Sequence, residues 1–339
     1  TSTAAYGIDG GNIVGVYSDY NGSYGFKYDG TNWASVVAPS DDIGGIKPYG
    51  INGSTIVGSN SRNSGWDQGF AYDGTNWTVL SAPRGTPSSS VTYAYGIDGG
   101  NIVGYYENLG NRSDYGYLFD GTNWTSYTIW DGLARDYVMT IVPDEQGNFW
   151  IGTKGGGVSK FDGSSWTTYK KEDGLADNNV YSIVIDRSGS IWFGTMGGGA
   201  SRLEGSKWTT YDLDDGLVSI YINDMAVDLE GDIWFGSSVG ASRFNGTSFQ
   251  NYSGESGIVH YNINAVEVDA QGNIWFGTTA GVSMYDGNTW TNYKMANGLA
   301  SDFVTSIAID DQDNKWFGTS YFGVSKFDNN DWISYTNAN

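Results

Sequence analysis

The feature that most constrains this chain is a recurring corner, seen as Asp120-Gly121-Thr122-Asn123-Trp124. An Asp-Gly step accepts the positive φ that a two-residue hairpin loop needs, so the segment reads as a tight turn between two strands. Eight copies begin at Asp29, Asp73, Asp120, Asp162, Glu204, Asn245, Asp286 and Asp328, with aromatic partners Trp33, Trp77, Trp124, Trp166, Trp208, Phe249, Trp290 and Trp332. Successive starts are 44, 47, 42, 42, 41, 41 and 42 residues apart. Eight near-even hairpin corners mean eight copies of one supersecondary unit, and a period near 42 residues is that of propeller blades.

Composition agrees with that reading. Of 339 residues 51 are Gly and 5 are Pro, and 16% are aromatic, a mix suited to many short strands with tight turns. Cys is absent, so no disulfide framework supports the fold. The net charge of −21 opposes binding to nucleic acid or to anionic membrane surfaces, and no apolar run is long enough for a transmembrane helix. Thr1 stands without an initiator Met, which fits either removal of an export signal or a trimmed end.

Residues 4–128 hold three repeats of one type, running Tyr6-Gly7-Ile8-Asp9, then Gly25-Phe26-Lys27-Tyr28-Asp29-Gly30, then Trp33, with equivalents from Tyr49 and Tyr95. This pattern resembles the bacterial extracellular repeats named for a His-Ala-Phe motif, although Tyr24, Gln68 and Tyr115 stand where that family shows its His. Residues 129–339 hold five repeats of a second type. Their centres are Phe149-Trp150-Ile151-Gly152-Thr153, Ile191-Trp192-Phe193-Gly194-Thr195, Ile233-Trp234-Phe235-Gly236-Ser237, Ile274-Trp275-Phe276-Gly277-Thr278 and Lys315-Trp316-Phe317-Gly318-Thr319. A Gly-Leu or Gly-Ile step precedes each, from Gly132-Leu133 to Gly298-Leu299. This half resembles the two-component regulator propeller repeat, which implies a propeller of the kind found in periplasmic sensor halves of bacterial receptors and in secreted proteins.

The residues support the same fold independently. Ile-Trp-Phe-Gly-Thr does not alternate, so both faces of that strand seek burial, whereas Trp166-Thr167-Thr168-Tyr169 alternates and suits one wet face. The expected fold is all-β, a single eight-bladed β-propeller of four-stranded antiparallel blades. Blades one to three cover about 4–128 and blades four to eight about 129–336. The ring is expected to close through side-chain contacts and not through a shared blade.

Chemistry-bearing residues are few. His260 is the sole histidine, which excludes a His-based zinc site and a Cys-His pair, and it reads as a loop residue. Asp144, Asp186, Asp228, Asp269 and Asp310 recur at one corner and read as turn residues bonded to nearby backbone amides. Asp212-Leu213-Asp214-Asp215 and Asp310-Asp311-Gln312-Asp313-Asn314 are oxygen-rich enough for calcium but lack the spacing of a helix-loop-helix calcium loop, so no cofactor is expected. Tyr20, Trp66 and Tyr115, in the longer loops of the first three repeats, are the candidates for stacking on a sugar or a protein partner. Thr1, Ser2, Thr3, Asn337 and Asn339 are the candidates for strand exchange with a neighbouring molecule.

The expectation is a non-catalytic extracellular or cell-surface module, structural or adhesive, that contacts other proteins or copies of itself. The runner-up is a periplasmic or extracellular ligand-sensing propeller that binds carbohydrate. An enzyme would need non-repeated polar residues converging at one place, and none stands out from the repeat.

Overall fold

The corner that organises the sequence also organises the backbone. In the computed structural model, Tyr72 pairs with Trp77 and Asp73 N–H donates to the Asn76 carbonyl at 3.2 Å, closing the turn. The Asp73 carboxylate then accepts from the amides of Thr75 and Asn76 at 2.8 and 2.6 Å, and Asp162 and Asp286 do the same in their repeats. These amides, and for Asp162 first of all the Ser165 hydroxyl, hold the three carboxyls below the ordinary carboxylate range. The first central residue carries positive φ, as at Gly74 (96°) and Gly163 (91°), and in the last repeat Asn329 takes that role at 77°.

The structure describes residues 2–9, 12–19, 22–29, 32–36, 43–62, 68–80, 91–98, 101–108, 113–121, 124–310, 312–320 and 322–335. Within them lie 32 strands in four-strand antiparallel meanders. They form seven sheets, not the eight separate ones expected. The first two repeats share one eight-stranded sheet through a single parallel pairing, Ser23 with Gly45. The cause is close approach. A Cβ at Gly25 would lie 2.9 Å from Ile46 and Pro48 side chains, so the absent side chain lets the ten-residue strand Ile43–Asn52 come up against Gly22–Tyr28.

The chain divides into two compact units, Thr128–Ile309 and the pair of segments Thr1–Tyr127 with Asp310–Asn339. In the second-named unit, strands of the last repeat pack on those of the first: Trp316, Val324 and Tyr335 form one buried cluster with Phe26. Tyr28 and Tyr335 rings lie 4.8 Å apart.

In the unit Thr128–Ile309 the sequence repeat becomes a repeat of contacts. The strands Ile191–Thr195, Ile233–Ser237 and Ile274–Thr278 are buried along their whole length. Burying each Phe there contributes about 1.5–3 kcal/mol. Their glycines face the next repeat: a Cβ at Gly194 would meet Ile222 at 2.8 Å, and one at Gly277 would meet Val304 at 2.8 Å. Gly174, at φ 115°, lies against the Trp208 side chain, where a Cβ would stand 2.7 Å from that of the ring.

In each of the last five repeats one carboxylate joins the first two strands. Asp228 accepts from the amides of Glu230 and Asp232 at 3.1 and 2.8 Å through one oxygen. Its other oxygen accepts from the Trp234 indole N–H at 2.8 Å. Asp144, Asp186 and Asp269 make the same indole bond to Trp150, Trp192 and Trp275, and Asp310 makes it to Trp316 in the other unit, at 2.8–3.0 Å. Burial opposes charge on Asp144 and Asp186, but the Asn148 or Ser188 side chain, the indole and the amides outweigh it and lower both carboxyls. Asp228→Ala leaves a buried indole N–H and two amides without an acceptor. It should cost about 2–4 kcal/mol of unfolding free energy, read from a urea midpoint, while Asp286→Ala at the exposed corner should shift it less.

Candidate functional site

Two features of the unit Thr128–Ile309 stand out from its regular frame: a rim of exposed rings, and a pair of carboxyl groups just inside it. Both are set by the way each first strand begins. The first strands are Val138–Pro143, Val180–Ile185, Ile222–Val227, Ile263–Val268 and Val304–Ile309. The residue before the strand is Tyr137, Asn179, Tyr221, Asn262 or Phe303. Backbone bonds fix these lead-in segments: Lys154 N–H donates to the Tyr137 carbonyl, and Gly197 and Gly199 both donate to that of Ile220, at 2.9–3.0 Å. The Gly runs at 155–157 and 197–199 therefore serve close backbone approach. A Cβ at Gly156 would sit 2.6 Å from the Ala134 carbonyl oxygen.

The rings so held point to water. Tyr137 is 54% exposed, Tyr221 49%, Phe303 45%, and Tyr261, one residue earlier in its repeat, 53%. Lys154 Nζ lies 5.2 Å over the Tyr137 ring. His260 stacks on Tyr261 with ring centroids 4.2 Å apart. Its Nδ1 accepts the Asn262 amide at 3.1 Å and lies 2.9 Å from the Thr279 hydroxyl, so the sole histidine is a rim residue.

Inside the rim, four of these first strands carry a register shift, at Val138/Thr140, Val180/Ser182, Ile222/Asp224 and Ile263/Ala265. Such a bulge leaves one residue unpaired and re-aims its side chain. In two repeats that residue is Asn, and it reaches to the next strand: Asn223 donates to the Ile263 carbonyl and Asn264 to that of Val304, both at 2.7 Å. Asp224 follows Asn223 and joins three first strands. It accepts from the Ser182 hydroxyl (3.1 Å), from the Met225 amide (2.9 Å) and from the Val266 amide (3.0 Å). Glu267 is the residue after Val266.

Both carboxyls are part-buried, and among the described residues neither makes an ion pair. Burial raises the Asp224 carboxyl, opposed by the three donors just named. Burial, and then the charge of Asp224, push Glu267 up to about 7, opposed by the Val268 amide. Glu267 can therefore gain or lose a proton near neutral pH, which is the chemistry expected of functional carboxyls. Among the described residues no cluster of His, Cys, Asp or Glu is arranged to hold a metal ion.

Neither feature was recognised from the sequence. The signal was there, in a column-by-column comparison of the first strands. Where Asp224 stands the other repeats have Thr140, Ser182, Ala265 and Ser306, and where Glu267 stands they have Val142, Val184, Ala226 and Ala308. Of the residues singled out from sequence, Tyr20, Trp66, Thr1, Asn337 and Asn339 lie outside the described residues. Ser2, Thr3 and Tyr115 lie on strands whose side chains are not described at those positions; Tyr115 pairs with Tyr106 in the backbone. The oxygen-rich stretches use their carboxylates locally: Asp212 accepts from the Asp214 amide at 2.8 Å, and Asp310 accepts from Gln312, Asn314 and Trp316.

These sheets define the propeller class, and known proteins agree. Three segments, 132–155, 174–197 and 257–280, match the family described as two component regulator propeller. No curated protein matches the chain at the sequence level. Among solved structures, PorZ of Porphyromonas gingivalis, described as a bacterial surface component of the type-IX secretion system, is 17% identical with a TM-score of 0.54. That match covers 100% of this chain and 57% of PorZ, so this chain spans little more than half of that protein's length. Virginiamycin B lyase of Staphylococcus aureus has a TM-score of 0.56 at 15% identity, covering 74% of this chain and 86% of the lyase. A streptogramin B lyase has a TM-score of 0.53 at 14% identity, covering 95% of both chains. At these identities the likeness is one of fold.

The site yields a direct measurement. Carbon-detected NMR of labelled Glu267 should give a titration midpoint near 7. Asp224→Asn should lower that midpoint without returning it to the free-glutamate value, because burial is the larger cause.

Proposed function

We propose that this chain is an extracellular, non-catalytic, eight-bladed β-propeller that serves as a protein-interaction module, with the aromatic rim as its contact surface. The carrying observation is the recurrence of exposed rings at the lead-in to the first strands: Tyr137, Tyr221, Tyr261 and Phe303. Exposed aromatic side chains are costly to leave in water and are enriched at protein contacts, where they bury large area with little loss of conformational freedom. Eight hairpin corners, and the contact of last-repeat strands with first-repeat strands, support eight blades in a single domain. The surface location of PorZ and the regulator-propeller matches support placement outside the cytoplasm. The partner is another protein, or a second copy of this chain.

A ligand-sensing role is the second reading, favoured by the three regulator-propeller segments. It predicts binding of a glycan that the rim variants below leave intact and that depends on the long loops around Tyr20, Trp66 and Tyr115.

The test is a triple variant, Tyr137→Ser, Tyr221→Ser and Phe303→Ser. Each ring is exposed, so each change should alter stability by no more than about 0.5 kcal/mol. Partners recovered by cross-linking at the surface of the source cells, or self-association followed by sedimentation, should be lost at least tenfold in the variant. Equal recovery by both proteins would overturn the assignment of the rim.

A further inference from the structure

The last repeat departs from the four before it at three places, and the three meet at one point. Lys315 opens the second strand Lys315–Thr319, where Phe149, Ile191, Ile233 and Ile274 open theirs. Its side chain is fully buried, and among the described residues it is the one buried cationic side chain. Asp313 stands two residues earlier, where the other four repeats have Gly147, Gly189, Gly231 and Gly272. Asn329 stands where they have Gly163, Gly205, Gly246 and Gly287. Both keep the left-handed backbone of those glycines, with φ of 63° and 77°, a conformation that any side chain makes less favourable.

The gain is a set of contacts. Lys315 Nζ donates to Asp313 Oδ2 and to Asn329 Oδ1, each at 2.7 Å, and Asn329 Nδ2 donates to the same Asp313 oxygen at 3.3 Å. An amine, a carboxamide and a carboxylate thus close a ring of hydrogen bonds. Asn329 Cγ lies one bond behind the oxygen that Nζ already touches. Phe327, the cross-strand partner of Lys315, is buried too, with its ring 4.8 Å from that of Trp332.

We propose that Lys315 and Asn329 join in an intramolecular amide bond, with Asp313 as the proton carrier. Holding nucleophile, carbonyl and carrier in contact is what makes such a reaction effectively unimolecular. A proton first passes from Nζ to Asp313 Oδ2 along their hydrogen bond, leaving a neutral amine. The Nζ lone pair then forms a bond to Asn329 Cγ, and the C=O π pair moves onto Oδ1. Asp313 gives its proton to Nδ2 and takes one from Nζ. The pair on Oδ1 re-forms the C=O bond, and the Cγ–Nδ2 bond breaks with its electrons leaving on nitrogen as ammonia. The ammonia carries off the remaining proton as ammonium, and Asp313 is a carboxylate again. No oxidant or other reactant enters. The bond ties the start of the second strand to the corner after the third, 14 positions on. It lies in the repeat whose Trp316, Val324 and Tyr335 cover Phe26 of the first. The chain has no Cys, so a cross-link there cannot be a disulfide.

The experiment is mass spectrometry of the denatured full chain, set beside Asp313→Gly, Lys315→Ile and Asn329→Gly. Each change restores a residue that preceding repeats carry at that place, so each variant should fold. The wild type should weigh less than its sequence by one ammonia. Its digest should hold one branched peptide joining Lys315 to Asn329, with no tryptic cut after Lys315. Lys315→Ile and Asn329→Gly should have their full sequence mass. In freshly made Asp313→Gly the linked fraction should grow more slowly by on the order of a hundredfold, the usual worth of a placed acid–base group. A wild-type mass equal to that of the sequence, in fresh and aged protein alike, would overturn the proposal and leave the three groups a hydrogen-bonded clamp. Loss of ammonia with no branched peptide, as from a cyclic imide at Asn329, would overturn it too. Neither outcome touches the rim assignment, whose rings belong to the unit Thr128–Ile309.

Discussion

A buried indole N–H must have an acceptor, and among the described residues the same acceptor is supplied five times. The corner carboxylate that ends each first strand turns back on its own loop amides and holds the Trp of the second strand with its remaining oxygen. That Trp is the meeting point of its sheet. A fourth-strand tyrosine stacks on it, as Tyr211 on Trp192 at 5.3 Å and Tyr252 on Trp234 at 5.2 Å. A third-strand cation also lies over its ring, Arg202 over Trp192 at 5.6 Å and Arg243 over Trp234 at 5.5 Å. One polar bond therefore fixes the residue against which all four strands are ordered. A charged hydrogen bond in such surroundings is stronger than one in water, and its loss leaves two groups unpaired and not one.

Between sheets the interaction is of a different kind. Glycines on the second strands remove the one atom that would hold neighbouring repeats apart, and apolar side chains of the next first strand fill the space. The first strands, having no ladder partner on that side, use side chains in place of a backbone ladder. Asn223 and Asn264 do this with neutral amides, and Asp224 does it with a carboxylate, so a regular architectural need is met at one seam by an acidic group.

Much of the fold was legible because it recurs. The corner at Asp29 through Asp328 gave the repeat length, and the unbroken apolar run Ile-Trp-Phe-Gly-Thr identified the strand buried on both faces. The turn role of Asp144 and its equivalents was readable too, but not their bond to the indole six residues on, since spacing alone does not say which way a ring turns. The joining of the first two sheets was not readable, because it depends on how near Gly25 lets another backbone come. The rim and the acid pair were missed for opposite reasons. Tyr137, Tyr221 and Phe303 resemble ordinary core aromatics until exposure is known. Asp224 and Glu267 are two among 38 acidic residues until the strands are set in register.

The division of the chain also bears on its synthesis. The unit Thr128–Ile309 is one uninterrupted segment, so the contacts within it join residues of a single continuous stretch. The other unit is not: Phe26 and Tyr28 wait for Trp316, Val324 and Tyr335 to cover them. Domains generally fold as units while the chain is being made. Here Phe26 stays uncovered while the long stretch between it and Trp316 is made, and its cluster closes only when Tyr335 has joined it.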